Sequence, residues 1–354
     1  VGYISYDAVR FWERLPVPRG KKKKSTFPLM EFGIYTDGIL YNHREGQAYY
    51  FYAGKSRLAE VRRKLAGPSS FTKNAQFSYT EPRRNVTRDQ FVEMVKKTKR
   101  YVYDGDIFQV VLAKNMKFEV KGDLLRFYEA LREVNPSPYM YLLKAGKRCI
   151  VGSSPEMLVR VTKDYVETFP IAGTRPIVSD EKRNEEMRQD LLQDEKELAE
   201  HTMLVDLARN DVGRVCEFGT VKVDELMTVK RFSHVQHIVS HVTGRLRKPL
   251  DSYDALKAVF PAGTVSGAPK VRAMEIIDEL EPDLRGPYAG ALGYFSFNGS
   301  CDFAITIRSL FVNGSRAYVQ SGAGIVMDSD PEKEWEETEH KANAILSALK
   351  KATS

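Results

Sequence analysis

The sequence predicts an α+β fold built on large antiparallel β-sheets. Predicted strands come in runs, and predicted helices are interspersed among them without the regular strand–helix alternation of a parallel sheet. No internal repeat and no glycine-rich phosphate-binding loop occurs along the 354 residues. With 42% apolar and 29% charged residues, the chain has the composition of a globular protein with an ample core.

The first third of the chain predicts short strands followed by one well-delimited helix. Residues 32–54, FGIYTDGILYNHREGQAYYFYAG, alternate apolar runs with turn residues and predict two or three antiparallel strands. Thr87 is expected to cap a helix, with Gln90 at the capping-box position and Gly105 as terminator. A strand is predicted next, over DIFQVVLAKNMKFEV at 106–120.

The remaining two thirds predict groups of strands separated by helices. A helix is expected over 123–134, a meander of strands over 139–173, and one acid-bearing helix over about 181–210. The later elements are strands near 220–245, a helix over about 268–280, three strands within 290–299, 301–314 and 316–328, and a C-terminal helix.

Composition argues against several classes of protein. No run of ~18 apolar residues exists, so no membrane span is predicted. Cys149, Cys216 and Cys301 are in neither metal-binding nor redox spacing, which favours a reducing cytoplasm. The chain begins Val1-Gly2, with neither Met nor a signal peptide, which predicts a piece of a longer protein.

The net charge of +7 is partly local. The run RGKKKK at 19–24 lies between proline-containing segments and predicts an exposed, solvated loop. A nucleic-acid-binding tail is the alternative, but no aromatic residues interleave the lysines and no recognition motif follows. No nucleic-acid partner is therefore predicted, and the surplus of cations suits a small anionic substrate.

The segment DEKELAEHTMLVDLARND at 194–211 places carboxylates where a core is expected. On a helix, Leu204, Leu207 and Ala208 share one stripe, and Glu197 and Glu200 lie on that same stripe. A carboxylate turned toward a core costs several kcal/mol unless a cation or hydrogen-bond donors compensate it. The pattern therefore predicts a positive partner.

A second helix, from residue 332 onward, repeats this feature. Glu334, Glu337 and Lys341 share a stripe with the apolar Ile345 and Ala348. Four carboxylates without His or Cys beside them suit a hard divalent cation, most simply Mg²⁺. The alternative is a set of ion pairs with buried arginines or lysines, and Lys341 is itself placed to pair with a neighbouring acid.

Several segments resemble the chorismate-utilising enzymes, a family that comprises anthranilate synthase large subunits and the aminodeoxychorismate, isochorismate and salicylate synthases. The resemblance covers about residues 86–350, in family order. It implies a catalytic domain at 86–354, with large sheets packed face to face and helices outside, after a partial, strand-rich N-terminal region at 1–85. The matching segments are PIAGTRP (170–176), EHTMLVDLARND (200–211), GTVSGAPKVRAMEII (263–277), GALGYFSF (290–297), AITIRS (304–309) and QSGAGIVMDSDPEKEWEET (320–338).

The resemblance also implies how the dianion chorismate is held. In the family Mg²⁺ bridges the ring carboxylate of chorismate to glutamates, and an arginine matching Arg308 grips a substrate carboxylate. Thr264 matches a residue beside the ring. The glutamates that match the metal ligands are Glu197, Glu200, Glu334 and Glu337, and the other matching substrate contacts are Gly173, Thr174, Tyr294, Gly322, Ala323, Gly324 and Lys341.

Two positions distinguish the members of this family. Water-using members carry a lysine where this chain has Gln109, and a glutamine cannot activate water, whereas ammonia needs no activation. Aminodeoxychorismate synthases carry a nucleophilic lysine where this chain has Ala172, in PIAGT. Both residues favour direct attack of ammonia at C2 of chorismate.

Two further residues match the acid and the base of the reaction. Glu156, in SSPEML, matches the acid that protonates the departing C4 hydroxyl, and His237 matches the histidine of the second step, in which pyruvate leaves. The structural alternatives are a glutamate at a strand end and a core histidine.

The resemblance predicts a cytoplasmic, Mg²⁺-dependent lyase that forms anthranilate and pyruvate from chorismate and ammonia. No segment resembles a glutaminase, so a separate glutamine amidotransferase subunit is expected to supply the ammonia. Aminodeoxychorismate synthesis, or a non-catalytic subunit that binds an aromatic acid, is the alternative. The segment NPSPYMY resembles half of a tryptophan inhibitor site, with Pro138, Tyr139 and Met140 near the ligand; its alternative is a turn into a strand.

Overall fold

The computed structural model describes residues 1–16, 25–67, 76–232 and 235–353, so the basic run at 19–24 lies outside the described residues. The strands are β1 (Gly2–Ile4), β2 (Met30–Phe32), β3 (Asp37–Asn42), β4 (Gln47–Tyr52), β5 (Phe77–Tyr79), β6 (Arg83–Arg84), β7 (Gln109–Gly122), β8 (Tyr139–Ala145), β9 (Arg148–Ser154), β10 (Met157–Thr162), β11 (Tyr165–Thr168), β12 (Ile171–Pro176), β13 (Lys222–Arg231), β14 (Val235–Arg245), β15 (Gly267–Ala268), β16 (Ala291–Phe295), β17 (Cys301–Ile305), β18 (Ser309–Asn313) and β19 (Arg316–Ile325). The α-helices are α1 (Leu58–Ala66), α2 (Arg88–Tyr103), α3 (Leu124–Val134), α4 (Glu181–Gln193), α5 (Glu195–Gly213), α6 (Ser252–Val259), α7 (Lys270–Leu280) and α8 (Pro331–Thr353), and two 3-10 helices cover Tyr6–Phe11 and Gly263–Val265.

Two large antiparallel sheets organise the described part of the chain, which confirms the predicted fold class. The nine-stranded sheet has the order β12-β14-β11-β10-β17-β16-β1-β2, with β13 also paired to β14. The eight-stranded sheet has the order β15-β7-β19-β18-β9-β8, with β5 and β6 also paired to β7. Strands β3 and β4 form a separate hairpin.

The main core takes side chains from both sheets. Ile150 and Phe311 of the eight-stranded sheet belong to the same buried cluster as Val159 and Phe303 of the nine-stranded sheet. A second cluster lies between the eight-stranded sheet and the helices α3 and α8. The two sheets therefore share an interior, and helices cover the outer side of the eight-stranded sheet.

Local sequence signals explain where the helices begin. Thr87 and Gln90 form the predicted capping box at the start of α2, with the Thr87 side chain accepting from the Gln90 amide and the reverse bond also present. The prediction of one helix over 181–210 is wrong, because Asp194 is extended (ψ 100°) and divides it into α4 and α5. The Asp194 carboxylate accepts from the Lys196 and Glu197 amides, so it caps the second helix.

Two predicted continuous strand regions are divided between the sheets. The meander over 139–173 crosses between β9 of the eight-stranded sheet and β10 of the nine-stranded sheet, at residues 155–156. The strand expected over 301–314 is two strands, β17 and β18, which lie in different sheets on either side of residues 306–308. The first crossing carries the buried Glu156, and the second carries the buried Thr306 and the half-buried Arg308.

The first strands extend the nine-stranded sheet. Strand β1 pairs with β16 on one side and with β2 on the other. The boundary near residue 85 stays a prediction, although residues on both sides of it share this sheet. Over the residues described, no helix is both long enough and apolar enough to cross a membrane.

Candidate active site

Glu156 and Arg308 lie at the two crossings between the sheets. The Ser153 amide donates to the Arg308 carbonyl at 3.1 Å, and the Ile305 amide donates to the Glu156 carbonyl at 3.0 Å. These bonds hold the two crossings side by side. Arg308 has φ +48°, a conformation that few non-glycine residues adopt, so its backbone is strained at this point.

Glu156 is a buried carboxyl group with one direct donor. Its side chain is 8% exposed, and its Oε1 accepts from the Thr264 hydroxyl at 2.8 Å. Burial raises the pKa of Glu156 to about 7, although the Thr264 hydrogen bond and the Arg308 and Lys341 cations oppose the rise. A carboxyl with this pKa is partly protonated at neutral pH and can donate a proton to a leaving group.

A small cavity of about 40 Å³ adjoins this carboxyl. Glu156 and Thr264 line it together with Leu204, Leu207 and Asp211 of α5. This volume is enough for about one or two water molecules. The apolar stripe predicted for α5 therefore faces the neighbourhood of Glu156.

His237 is held as a neutral imidazole beside Gly173 and Thr174, two of the predicted substrate contacts on β12. Its Nδ1 lies 2.8 Å from the Gly173 carbonyl and 3.1 Å from the Thr174 hydroxyl. Because a carbonyl can only accept, Nδ1 must carry the proton, and Nε2 is left as the basic nitrogen. Burial first, and Arg308 to a smaller extent, lower the pKa of His237, which keeps it available as a base.

Gly173 allows this strand to approach α5 closely. Its φ is +63°, and a Cβ there would lie 2.8 Å from Leu191 Cδ1 and 3.2 Å from Glu197 Oε2. The sequence therefore needs glycine here both for the backbone conformation and for the space beside Glu197.

Gln109 contacts the first acidic helix. Its Nε2 donates to Glu200 Oε1 at 2.8 Å, whereas its Oε1 is buried without a partner among the described residues. A Cβ on Gly324, in the neighbouring strand β19, would lie 2.5 Å from Gln109 Nε2. Glu200 and the close approach of Gly324 therefore orient the Gln109 side chain, and its Oε1 is available to accept a hydrogen bond.

Neighbouring acids within α5, and neighbouring acids within α8, repel each other. Burial, with a contribution from Glu200, raises the pKa of Glu197, and burial, with a contribution from Glu337, raises the pKa of Glu334. Lys196 opposes the rise of the pKa at both Glu197 and Glu334. Glu334 Oε2 is buried without a partner among the described residues.

The predicted stripe on α8 is wrong at two positions. Glu337 and Lys341 are exposed, because the buried side of α8 runs through Glu334, Thr338 and Ala342 instead. Lys341 pairs with Glu337 at 2.6 Å, as the ion-pair alternative anticipated, and also donates to the Gly322 carbonyl at 3.1 Å.

These acids fit a divalent cation by their chemistry. All four donors are carboxylates, and one of them has a buried oxygen without a partner, which a hard cation would satisfy. Among the described residues, no group of three or more His, Cys, Asp or Glu side chains is close enough to hold a metal ion. The magnesium site stays a prediction.

Tyr294 lies with a different group of residues. The Tyr139 hydroxyl donates to Asp302 at 2.9 Å, and Arg160 donates to the same carboxylate at 2.9 Å. Tyr294 lies opposite Asp302 in the register of β16 and β17, and burial first, and then Asp302, raise the pKa of its hydroxyl. The predicted substrate contact Tyr294 and the predicted inhibitor contact Tyr139 therefore both adjoin Asp302, and the substrate role of Tyr294 stays a prediction.

The other residues of that segment are in different surroundings. Pro138 is exposed just before β8, and Met140, within β8, packs against the core under α3.

The predicted substrate contacts Gly322, Ala323 and Gly324 lie in a row on β19. They pair with Ala113, Leu112 and Val111 of β7, and Ala323 between the two glycines is fully buried.

Sequence reasoning missed Lys196 as a site residue. The helical stripe places it away from Glu197, but its positive charge acts on the pKa of both Glu197 and Glu334. A usable signal was that Lys196 is the nearest cation in sequence to both carboxylates of α5.

Known proteins share both the sequence and the structure. A family described as chorismate binding enzyme matches residues 1–347. The anthranilate synthase component 1 of Methanothermobacter thermautotrophicus is 53% identical over 352 residues, which cover 99% of this chain and 74% of that protein. The protein of the same name from Saccharolobus solfataricus is 46% identical over 349 residues, covering 99% and 80%. The crystal structure of anthranilate synthase component I from Streptococcus pneumoniae superposes with a TM-score of 0.89 at 39% identity, covering 98% of this chain and 79% of that one.

Proposed function

The chain belongs to the chorismate-binding enzyme family, and we propose that it is an anthranilate synthase large subunit that makes anthranilate and pyruvate from chorismate and ammonia. The observation that carries the choice within the family is Gln109. It lies where water-using members have a lysine, its Nε2 is bound to Glu200, and its Oε1 is buried without a partner among the described residues. That oxygen is an acceptor able to orient ammonia.

The first step requires an acid and a held substrate. Ammonia attacks C2 of chorismate while the C4 hydroxyl leaves, and the proton on Glu156 goes to that hydroxyl, so that water departs. Burial favours the protonated form of Glu156, and Thr264 orients its carboxyl group. Arg308, half-buried at the crossing between the sheets, is the cation that binds a substrate carboxylate.

Ala172 supports ammonia attack at C2 over the alternative activity. It lies on β12, paired with Ile238, and its methyl group offers no amine for covalent attack on the ring. Aminodeoxychorismate synthases resemble PIKGT here, and use that lysine to direct ammonia to C4. The aminodeoxychorismate alternative lacks its nucleophile in this chain.

The second step needs a base that is neutral at working pH. His237 meets this requirement, because Nδ1 is fixed by Gly173 and the basic Nε2 is left to take the C2 proton. Loss of that proton, with departure of pyruvate, makes the ring aromatic.

Magnesium would be held by Glu197, Glu200, Glu334 and Glu337, and would supply positive charge for the ring carboxylate of chorismate. The glutamine amidotransferase subunit remains part of the proposal as the source of ammonia. Tryptophan inhibition remains part of the proposal at the NPSPYMY segment, through Pro138, Tyr139 and Met140, of which Tyr139 donates to Asp302.

The assay that tests the function uses the purified chain with chorismate, Mg²⁺ and ammonium at alkaline pH, followed by anthranilate fluorescence. Anthranilate formation supports the proposal. Formation of aminodeoxychorismate instead would move the chain to the alternative, and an inert chain that binds chorismate would support a non-catalytic role.

Replacing His237 by Met should separate the two steps. We expect ammonia addition to continue while anthranilate formation falls by about 10²–10³-fold, because the base for the C2 proton is gone. Chromatography of the reaction mixture should show an amino intermediate that retains the enolpyruvyl group. His43→Met, at an exposed histidine of the β3–β4 hairpin, is the control. Normal anthranilate output from His237→Met would remove this residue from the second step.

Gly324→Ala tests the role of Gln109. The added Cβ would lie 2.5 Å from Gln109 Nε2, and since this is the end of a flexible side chain, the glutamine should swing off Glu200 at little cost in stability. We expect the KM for ammonia to rise about 10-fold, the loss of one hydrogen bond, with Tm nearly unchanged. Gly213→Ala, where a Cβ meets nothing within 4 Å, is the matched control. An unchanged KM for ammonia in Gly324→Ala would count against Gln109.

A further inference from the structure

We propose that Arg285 is a positioning residue, which holds the turn that carries Thr264 in register with strand β7 and so sets the environment of Glu156. Only the expected effect on catalysis rests on the proposed function; the positioning of Thr264 and Glu156 does not. Arg285 is the largest fully buried side chain among the described residues, at 1% exposure, and it touches none of the reacting groups.

Its guanidinium joins two backbone segments that end at the site. Nη1 donates to the Val265 carbonyl at 2.6 Å, and Nη2 donates to the Val111 carbonyl at 2.7 Å. Val265 directly follows Thr264, the hydroxyl donor to Glu156, and Val111 is two residues after Gln109 on β7. The planar guanidinium of Arg285 therefore bridges two segments: the turn that carries Thr264, and strand β7, which carries Gln109.

A buried carboxylate keeps the guanidinium in place. Glu281, at the end of α7, receives two bonds from it, at 3.0 Å from Nε and 2.6 Å from Nη2. Its Oε1 also accepts from the Ala113 amide of β7 at 2.8 Å. The Tyr6 ring lies 4.6 Å from the guanidinium carbon on the other side. The fork is thus fixed from three directions.

The energetics argue against a purely stabilising role. A buried ion pair gains little over apolar residues of similar volume, because both charges lose their hydration. The Arg285–Glu281 pair instead holds the backbone carbonyls of Val265 and Val111 in fixed positions. Two apolar side chains could not hold these carbonyls, because they have no hydrogen-bond donors. Lysine, with one point charge, would not satisfy the same bidentate geometry.

Arg285 affects the pKa of Glu156 through the position of Thr264. The Thr264 hydroxyl donates to Glu156, and this bond lowers the pKa of Glu156 against the larger effect of burial. The other charges facing Glu156 are Arg308 and Lys341, and the Asp211–Lys270 pair borders the same cavity. If the turn shifts, the Thr264 bond weakens and the pKa of Glu156 rises further.

Arg285→Lys is the primary test, with two readouts. The titration of Glu156, followed by infrared difference spectroscopy of the carboxyl band against Glu156→Gln, needs no substrate, and its midpoint should move to higher pH. In the steady state, kcat should fall by about 10–10²-fold, as expected when a distant change misplaces a catalytic group. The KM for chorismate should stay within about threefold, since no substrate ligand is altered.

The double variant identifies the path. Thr264→Val should give the same upward shift of the Glu156 titration, and adding Arg285→Lys to it should give no further shift, since both remove one interaction. Arg148→Lys, in a partly buried arginine–glutamate pair with Glu31, is the matched control. If Arg285→Lys is too unstable to purify, Glu281→Gln loosens the same fork and should shift the titration likewise.

An unchanged Glu156 titration in Arg285→Lys, or in Glu281→Gln where that variant replaces it, would overturn the proposal. The proposal would also be overturned if the shifts of the Glu156 titration caused by Thr264→Val and by Arg285→Lys added up in the double variant. A titration that moves as expected in a chain that forms no anthranilate would leave the positioning role intact and reject the proposed function.

Discussion

Glu156→Gln is expected to lower kcat for anthranilate formation by ~10²–10⁴-fold, the usual worth of a general acid. The amide keeps the size of the side chain and its contact with Thr264, but it has no acidic proton for the departing C4 hydroxyl. Anthranilate fluorescence with chorismate and ammonium measures the loss, and the KM for chorismate should change little. Glu129→Gln, at an exposed position of α3, is the control.

The same variant should become more stable than the wild type at high pH. The folded-state pKa of Glu156 is about 7, raised from 4.5, so unfolding releases a proton between these values and stability falls as pH rises from 4.5 through 7. Above pH 7 the buried carboxylate costs up to roughly 3 kcal/mol, at ~1.4 kcal/mol for each pH unit. Glu156→Gln removes this cost.

Urea unfolding at pH 5 and pH 8 measures this effect. The difference in unfolding free energy between Glu156→Gln and the wild type should be larger at pH 8 than at pH 5. Equal differences at the two pH values would show that Glu156 has an ordinary pKa, and full activity of the variant would exclude Glu156 as the acid.

Glu334→Gln should uncouple the enzyme from magnesium. Glu334 is buried, and one of its oxygens lacks a partner among the described residues. Burial, with a contribution from Glu337, raises its pKa although Ser329, Lys196 and Lys341 oppose the rise, so a bound cation would stabilise its charged form further. We expect the Mg²⁺ concentration at half-maximal rate to rise by at least about 10-fold, equivalent to ~1.4 kcal/mol of binding free energy. Titration of the rate with Mg²⁺ measures it.

Thermal unfolding provides a readout that needs no turnover. Without Mg²⁺, Glu334→Gln should have a higher Tm than the wild type, since a buried and repelled carboxylate is removed. With Mg²⁺ the wild type should gain more in Tm than the variant. Glu336→Gln, exposed on the same helix, is the matched control. Equal gains in Tm for Glu334→Gln and the wild type would remove Glu334 from the metal site.

Local sequence patterns predicted the elements whose limits are set by nearby residues. The capping box of Thr87 and Gln90 fixed the start of α2, because both partners lie within one turn. The break at Asp194 was missed, although an aspartate is a good helix cap, because the residues on both sides favour helix. Strand signals at 301–314 were continuous, and the change of sheet at Arg308 depends on what each half pairs with.

In the candidate site, too, local motifs identified residues, whereas burial depended on how the elements pack. The motifs located Glu156, Gln109 and His237, and the fold brings each of them to a polar partner in the interior: Thr264, Glu200 and Gly173. The helical stripe was a poorer guide. A 23-residue helix in contact with the eight-stranded sheet buries the side that its packing selects, which left Glu337 in solvent.

Strand alternation, capping residues and motif order are local properties, so the residues alone were enough to predict the fold class, the family and the chemical type of most candidate residues. Which of these residues lie together in space depended on the folded chain. The fold put Glu156 and Arg308 side by side where the chain passes between sheets, set Tyr294 opposite Asp302, to which Tyr139 donates, and joined Arg285 to the Thr264 turn. These neighbours could not be predicted locally, because the hydrogen-bond register between distant strands, and the burial it imposes, depend on pairings across the whole chain.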